Sequence, residues 1–460
     1  MSEAATATAF VLEPADNVAT LPWGGRAGQK LRVAGIAPKG EDVLLSQDIP
    51  PSHKCALAPI ASGGQVTKYG SPIGLATDPI GPGEHVHVHN MRSGFSQDNQ
   101  RTGDEDVPAA RIGVSDLERT VTAILCAAGA ASEAARDAAR HIACAEASGV
   151  GTHGLRRLAP MVQRLRGGGI DGTAKPELSR SGAVISVDGR NGLGHHVARF
   201  AADAAIEAAL DLGAGVALVR NSNHFGYAGY YAVHMAEQGM VGLVISNGQV
   251  LVGPPGARRA IFSNDPVAVA APMGEGGVFE FDMATSVTSR ARIAQAAEFG
   301  RPIEQGLALD ADGQPTTDAV AALKGLLLPM GGAKGFGFIA ALEVLTGVLP
   351  GGAYADLVTS KEAAMDRPEG TSHFLMAISA EAACGLETFR ARISDLADRV
   401  AALPMSEGTP PPRLPGARRA ALRAKAGREG VWLSAGAWST LRRLAAEAGA
   451  PLDLAAEGKE

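Results

Sequence analysis

The chain has 460 residues, 46% of them hydrophobic and 20% charged, a balance that suits a globular protein with two or three cores. Its net charge of −6 excludes a broad basic face, so nucleic acid is not the expected partner, although a local positive pocket for a small anion is compatible with it. Residues 1–5 carry no basic segment leading into an apolar stretch, the most apolar window (335–349) contains Glu343, and the four cysteines form no CxxC pair; together these predict a cytoplasmic protein with no membrane partner.

From the N-terminus, short β-type runs at 31–33, 42–45, 65–68 and 85–89 alternate with Pro/Gly turns, which predicts a small mostly-β domain over 1–92. Within it, His85, His87 and His89 alternate along a predicted strand and so share one face. Such spacing suits metal ligation or contact with carboxylates, and equally a solvated stripe; no fourth ligand is evident and no metal is assigned. His53 and Lys54, after Pro50-Pro51, form a candidate anion contact. Residues 93–112 are polar and aperiodic, the composition of a linker. Ser115-Asp116-Leu117-Glu118 then fits a capping box and predicts a helix that opens a second domain over 113–460. Alanine-rich segments at 128–147 and 196–212 read as helices, and apolar runs at 216–219 and 241–245 as buried strands, so the second domain is α/β.

Four segments of this second domain carry candidate chemistry. Gly151-Thr152-His153-Gly154-Leu155-Arg156-Arg157 ends a helix; Arg157 has a planar fork suited to a carboxylate, and it fits equally a surface arginine. His224 follows the strand at 216–219 through Arg220-Asn221-Ser222-Asn223 and precedes Gly226, Gly229 and the pair Tyr230-Tyr231. An imidazole where a buried strand meets a loop suits proton transfer near neutral pH, or a structural hydrogen bond. Phe281-Asp282-Met283-Ala284-Thr285-Ser286 places small hydroxyl residues after a strand. Met330-Gly331-Gly332-Ala333-Lys334-Gly335 runs into a helix, so bare backbone N–H groups, a helix start and a lysine converge on one candidate anion site. A match to G-x-G-x-x-G at 167–172 follows a helix where the dinucleotide fingerprint requires a strand, and it reads as a glycine-rich helix exit.

In this order, Gly151-Thr152-His153-Gly154, Ser222-Asn223-His224-Phe225-Gly226, Asn264-Asp265-Pro266, Phe281-Asp282-Met283-Ala284-Thr285, Lys334-Gly335-Phe336-Gly337 and Arg413-Leu414-Pro415-Gly416 resemble the type-2 malate/L-lactate dehydrogenase family, over roughly 113–460. That resemblance implies a non-Rossmann α/β fold and a homodimer. It also implies NAD or NADP as cofactor, held partly by Ser286, Val287, Thr288, Lys334, Gly416, Ala417 and Arg418, and a small anionic 2-hydroxy acid as substrate. His224 falls on the family's catalytic histidine and Arg157 on its carboxylate-binding arginine, with Thr152 and His153 beside it. The sequence departs from the family pattern at Ala257, Ser263-Asn264-Asp265, Arg292, Gly248 and Met161. Cyclic imine reductases share the family, so an imine substrate is the alternative.

The front block resembles a second family, the SAF-type small domain of altronate/galactarate dehydratases and of a sulfolactate sulfo-lyase. The matching residues are Pro14-Ala15-Asp16-Asn17, Ile49-Pro50-Pro51-Ser52-His53-Lys54, Lys68-Tyr69-Gly70-Ser71-Pro72-Ile73-Gly74 and His85-Val86-His87-Val88-His89-Asn90. The lyase portion that performs elimination in that family has no match here. The resemblance therefore implies either docking on a separate large lyase subunit or an accessory role beside a dehydrogenase of sugar-acid or sulfolactate type.

Overall fold

A computed structural model describes residues 6–11, 14, 16–35, 43–51, 53–68, 71–87, 89–93, 108–274, 277–360, 364–406 and 409–452. The chain divides into two compact units, Met1–Gln100 and Arg101–Glu460.

In the first unit, Thr6–Val11 shows the alternation expected of a half-buried strand, with Ala7, Ala9 and Val11 inward. It pairs in parallel with Lys30–Gly35 and antiparallel with Val18–Leu21, and the sheet continues through His53–Ala56 to His85–Val86. A second sheet joins Gln65–Lys68, Ser71–Ala76 and Met91–Ser93. The run at 42–45 contributes an isolated bridge from Leu44 to Lys30 and no strand among its described residues. The histidine strand is shorter than its alternation suggests: after His85–Val86 the chain turns, with the Asn90 and Met91 N–H groups donating to the His87 carbonyl at 3.0 and 2.8 Å.

The second unit is built on a seven-stranded sheet in the order Glu177–Ser181, Val184–Asp188, Ala214–Ser222, Thr371–Ser379, Met240–Ser246, Val267–Pro272, Val278–Met283. Only the pairing of Val184–Asp188 with Ala214–Ser222 is parallel. Helices Gly194–Leu212 and Gly229–Glu237 cover one face, where their alanines pack against Val187, Val219, Val244 and Leu375. Helix Ala333–Glu343 lies on the other, with Leu342 against Leu218, Ile245 and Phe374; it continues as a π-turn, Val344–Val348. A helical layer of Val114–Ala127, Ser132–Ala147 and Ala435–Ala448 encloses Leu117, Ile124, Ile142 and Leu441. The glycines at 167–169 do end a helix, Leu158–Gly167, with Gly168 in the left-handed region.

Two sequence expectations are corrected here. The polar stretch 93–112 is not linker at its ends, because Ser93 closes a strand and Pro108–Ile112 pairs antiparallel with Val431–Ser434. The capping box does not form: the helix begins at Val114 behind an extended Gly113, which places Ser115 inside the first turn with no side-chain cap bond. Asp116 supplies the first-turn acid instead, paired with Arg119 at 2.7 Å.

Candidate active site

Strand Ala214–Ser222 loses register with Thr371–Ser379 between Val219 and Ser222, and Asn221 adopts φ 55°. A bulge of this kind re-aims the residues that follow it, and asparagine tolerates the left-handed conformation. The chain leaving the bulge is then fixed from several sides. Tyr231, fully buried, donates its hydroxyl proton to the Phe225 carbonyl at 2.6 Å. The Tyr227 N–H donates to His141 Nε2 at 3.0 Å, and the His141 ring lies so close to Gly226 (φ 87°) that any Cβ there would overlap it. His373 Nδ1 and Nε2 each share a hydrogen bond of 2.8 Å, with Ser246 Oγ and Ser222 Oγ respectively, and the His373 ring stacks on Phe225. Burial pushes His373 down to about 3 and His195 to about 4, so both remain neutral.

His224 itself is half-buried. Its Nδ1 receives a long contact, 3.4 Å, from the Gly226 N–H, and its main-chain N–H donates to Glu369 Oε2 at 2.9 Å. Its ring lies parallel to that of His153, centroids 5.8 Å apart with planes 5° from parallel. His153 Nδ1 and Thr152 Oγ1 are 3.1 Å apart, and Arg157 Nε donates to the Thr152 carbonyl at 2.9 Å. Thr152, His153, Arg157 and His224, 67 or more positions apart in the case of His224, therefore form one group on two short 3₁₀ turns and a strand-end loop.

The candidate cofactor segments fall into two places. Ser286-Val287-Thr288 lies against the approach to Lys334: Val287 N–H donates to the Leu328 carbonyl at 3.0 Å, and Met330 N–H to the Thr285 carbonyl at 2.9 Å. Lys334 is exposed in the first turn of helix Ala333–Glu343. The Gly416-Ala417-Arg418 turn packs instead beside Glu280, whose N–H donates to the Pro415 carbonyl at 3.2 Å. There Arg419 and Arg423 each reach Glu280 at 2.8 Å, and Arg419 approaches Asp282 at 3.4 Å. Burial pushes Asp282 up to about 6 against the opposing pull of Arg419.

In the first unit, His53, read from the sequence as a candidate anion contact with Lys54, stands beside the histidine run as a fourth imidazole. Its Nδ1 lies 2.7 Å from His85 Nε2, and the His87 and His89 rings complete the patch. Among the described residues, however, no group of three His, Cys, Asp or Glu side chains is set to hold a metal ion. No helix among them is long and apolar enough to cross a membrane.

Residues 112–442 match the family model for malate/L-lactate dehydrogenase. The chain belongs to that family. Residues 7–94 match the SAF domain of altronate/galactarate dehydratase. The dehydrogenase unit is similar to a (2R)-3-sulfolactate dehydrogenase (NADP(+)) of Chromohalobacter salexigens, 32% identical over 69% of this chain and 92% of the relative. It is similar also to a Delta(1)-pyrroline-2-carboxylate/Delta(1)-piperideine-2-carboxylate reductase of Pseudomonas putida, 33% identical over 70% and 93%. Among solved structures, sulfolactate dehydrogenase from Methanocaldococcus jannaschii aligns with a TM-score of 0.68 and 30% identity, over 74% of this chain and 98% of that one. The dehydrogenase unit is thus an oxidoreductase with the α/β, non-Rossmann fold of these enzymes, preceded by an SAF domain of strands.

Sequence reasoning missed Arg164, Glu369 and His373, which secure the His224 loop. Arg164 left one trace: it sits among Leu158, Met161, Val162 and Leu165 on an apolar helix face, where an arginine demands a partner.

Proposed function

We propose that the second unit is an NAD(P)-dependent dehydrogenase of small anionic 2-hydroxy acids, with His224 as the proton-transfer group and Arg157 as the carboxylate clamp. One observation carries this reading: the His224 ring stacks on His153, whose turn also carries Thr152 and Arg157. A titratable ring thereby adjoins a guanidinium suited to bidentate carboxylate binding. His224 takes the hydroxyl proton when the acid is oxidised and returns it to the carbonyl oxygen on reduction. Arg157 holds the carboxylate, and Thr152 with His153 flanks the reacting carbon.

The residues around Lys334 fit an anionic dinucleotide. Gly331 and Gly332 have φ 67° and 61°, and a Cβ at Gly335 would overlap the Met330 carbonyl oxygen, so the helix start keeps a bare backbone beside a lysine. Ser286, Val287, Thr288 and Lys334 would hold one part of the cofactor and Gly416, Ala417 and Arg418 another. When bound, the nicotinamide supplies the hydride acceptor for oxidation and the donor for reduction. The relative that reduces pyrroline- and piperideine-carboxylates supports a second substrate class, a cyclic imine acid with nitrogen at the reacting carbon. The SAF unit serves this reading as an accessory module.

Binding of NADH and NADPH to the full chain, followed by tryptophan fluorescence, tests the cofactor. A screen of 2-hydroxy acids, 2-oxo acids and cyclic imine acids then tests the substrate class. His224→Ala is expected to fold, bind cofactor and lose about 10²–10⁴-fold in turnover, the usual worth of general acid–base catalysis. A folded variant with near-normal turnover would overturn the assignment.

A further inference from the structure

Two buried carboxyl groups of the second unit face each other away from the His224 loop. Asp265, just before strand Val267–Pro272, is fully buried, and Glu343, the last residue of helix Ala333–Glu343, is 4% exposed. The two groups lie within hydrogen-bonding reach of each other. No donor among the described residues is aligned on either carboxyl oxygen of Asp265 or on Glu343 Oε2. Glu343 Oε1 accepts the Ala355 N–H. Ionised carboxylates only accept hydrogen bonds, so a bond between these two requires a proton on one of them. Asp265 is the better place for it: the N–H on Glu343 supports the charged form of that group, whereas Asp265 has no aligned donor.

Among the described residues, the groups facing the pair are uncharged. Ser263 Oγ, which accepts the Asp265 N–H at 3.2 Å, adjoins Asp265. Asn247 adjoins Glu343; its Nδ2 donates to the Ala353 carbonyl at 2.9 Å and its Oδ1 accepts the Ser372 N–H at 2.8 Å. Beyond Ala355, Asp356 pairs with Arg259 at 3.6 Å; beyond Ser372, His373 is kept neutral by burial; Lys334 lies at the opposite end of the helix. Burial, and after it the charge of Glu343, hold Asp265 well above the usual carboxylate range. The pair also closes a circuit. The Asn264 carbonyl accepts both the N–H and the hydroxyl of Thr285 at 2.9 Å, the Thr285 carbonyl accepts the Met330 N–H at 2.9 Å, and Met330 leads into the helix that ends at Glu343. The carboxyl contact thus joins the two ends of the frame that carries Ser286 and Lys334.

We propose that Asp265 keeps its proton in the folded protein and donates it in one O–H···O bond to Glu343, a latch that holds the Ser286 and Lys334 segments together and opens when the proton is lost at alkaline pH. That these segments bind NAD(P)H rests on the function proposed above; the proton does not. A carboxyl raised in the folded state stabilises fully below its unfolded value, near 3.8, and that stabilisation is lost as the pH rises through its folded value.

Asp265→Asn keeps the shape and an N–H donor towards Glu343 and removes the titration. Both full-length proteins are melted from about pH 5 to about pH 9. The Tm of the variant relative to wild type is expected to rise by about 2 °C per pH unit wherever Asp265 stays protonated. At neutral pH, the infrared difference spectrum of wild type minus variant should contain the C=O stretch of a protonated carboxylic acid. Absence of that band, or a Tm difference flat with pH, would overturn the proposal. NADH and NADPH, followed by tryptophan fluorescence, are expected to bind wild type about tenfold more weakly at alkaline than at neutral pH, and the variant equally at both. Binding with the same pH response in the two proteins would overturn the latch. If neither protein bound either nucleotide, the cofactor reading would fail, while the band and the melting would still decide the proton. Should Asp265→Asn not fold, Glu343→Gln gives Asp265 an amide donor and is expected to ionise it; wild type minus that variant then shows the acid band, and its absence overturns the proposal equally.

Discussion

Arg157 is tied by its Nε to the carbonyl of Thr152, so the guanidinium and His153 move with one turn of backbone. Lysine at this position would offer a compact charge without the planar fork. Arg157→Lys is therefore expected to raise KM for the acid substrate about 10- to 100-fold, the worth of one charge-assisted hydrogen bond, with a smaller change in kcat. Steady-state kinetics with the substrate from the screen checks this, and an unchanged KM would remove Arg157 from the carboxylate site. The placement of His224 just past a strand end was legible in the sequence because the strand, the small polar neighbours and the glycines are all local. Arg164 and Glu369 were not, since they meet this loop from 59 and 145 residues away and a single sequence carries no record of such pairings.

Elements with a local apolar signature were readable: 216–219 and 241–245 are strands, and 196–212 lies within a helix. Their arrangement was not. Thr371–Ser379 takes the centre of the sheet between Ala214–Ser222 and Met240–Ser246, a pairing set by the whole fold. Pro108–Ile112 was hidden because its partner, Val431–Ser434, supplies the order that its composition does not suggest. Of the predicted histidine strand of the first unit only His85–Val86 forms, and its partner His53 lies on the neighbouring strand. In this patch His85 is pushed down to about 4, first by burial and then by His53, His89, His87 and Lys54, and His87 is lowered likewise, first by burial and then by His53, Lys54 and His89. A histidine whose folded-state pKa lies below its ordinary 6.5 binds its proton more readily in the unfolded chain. The stability it confers is complete above about pH 6.5 and is lost as the pH falls towards 4. Melting of the full protein across that range should show the first unit weakening, and less steeply in His85→Ala; identical pH dependence in the two proteins would rule the patch out as the cause.

Across the whole molecule, each unit encloses its own apolar core: Leu21, Leu45 and Cys55 with Ile60, Val66 and Ile80 in the first, and the helix-covered sheet in the second. Separate cores unfold separately unless a large interface couples them. Calorimetry of the full chain is expected to resolve two transitions, with NADH or NADPH raising only one of them, since a ligand stabilises the unit that binds it. A single transition that shifts as a whole would show the units to be coupled.

The closing of the helical layer also sets a timetable for synthesis. Thr120 donates its hydroxyl proton to the Pro451 carbonyl at 2.7 Å across 331 residues, and Val431–Ser434 pairs with Pro108–Ile112. The SAF strands find partners within their own first hundred residues and are free to fold on the ribosome early. The dehydrogenase unit must hold Ile112, Leu117 and Ile124 in waiting, with helix Ser132–Ala147 on one side and the side filled by its last strand and helix still open, until these emerge. Over that interval the nascent chain offers a sticky half-layer to chaperones or to a neighbouring polysome chain.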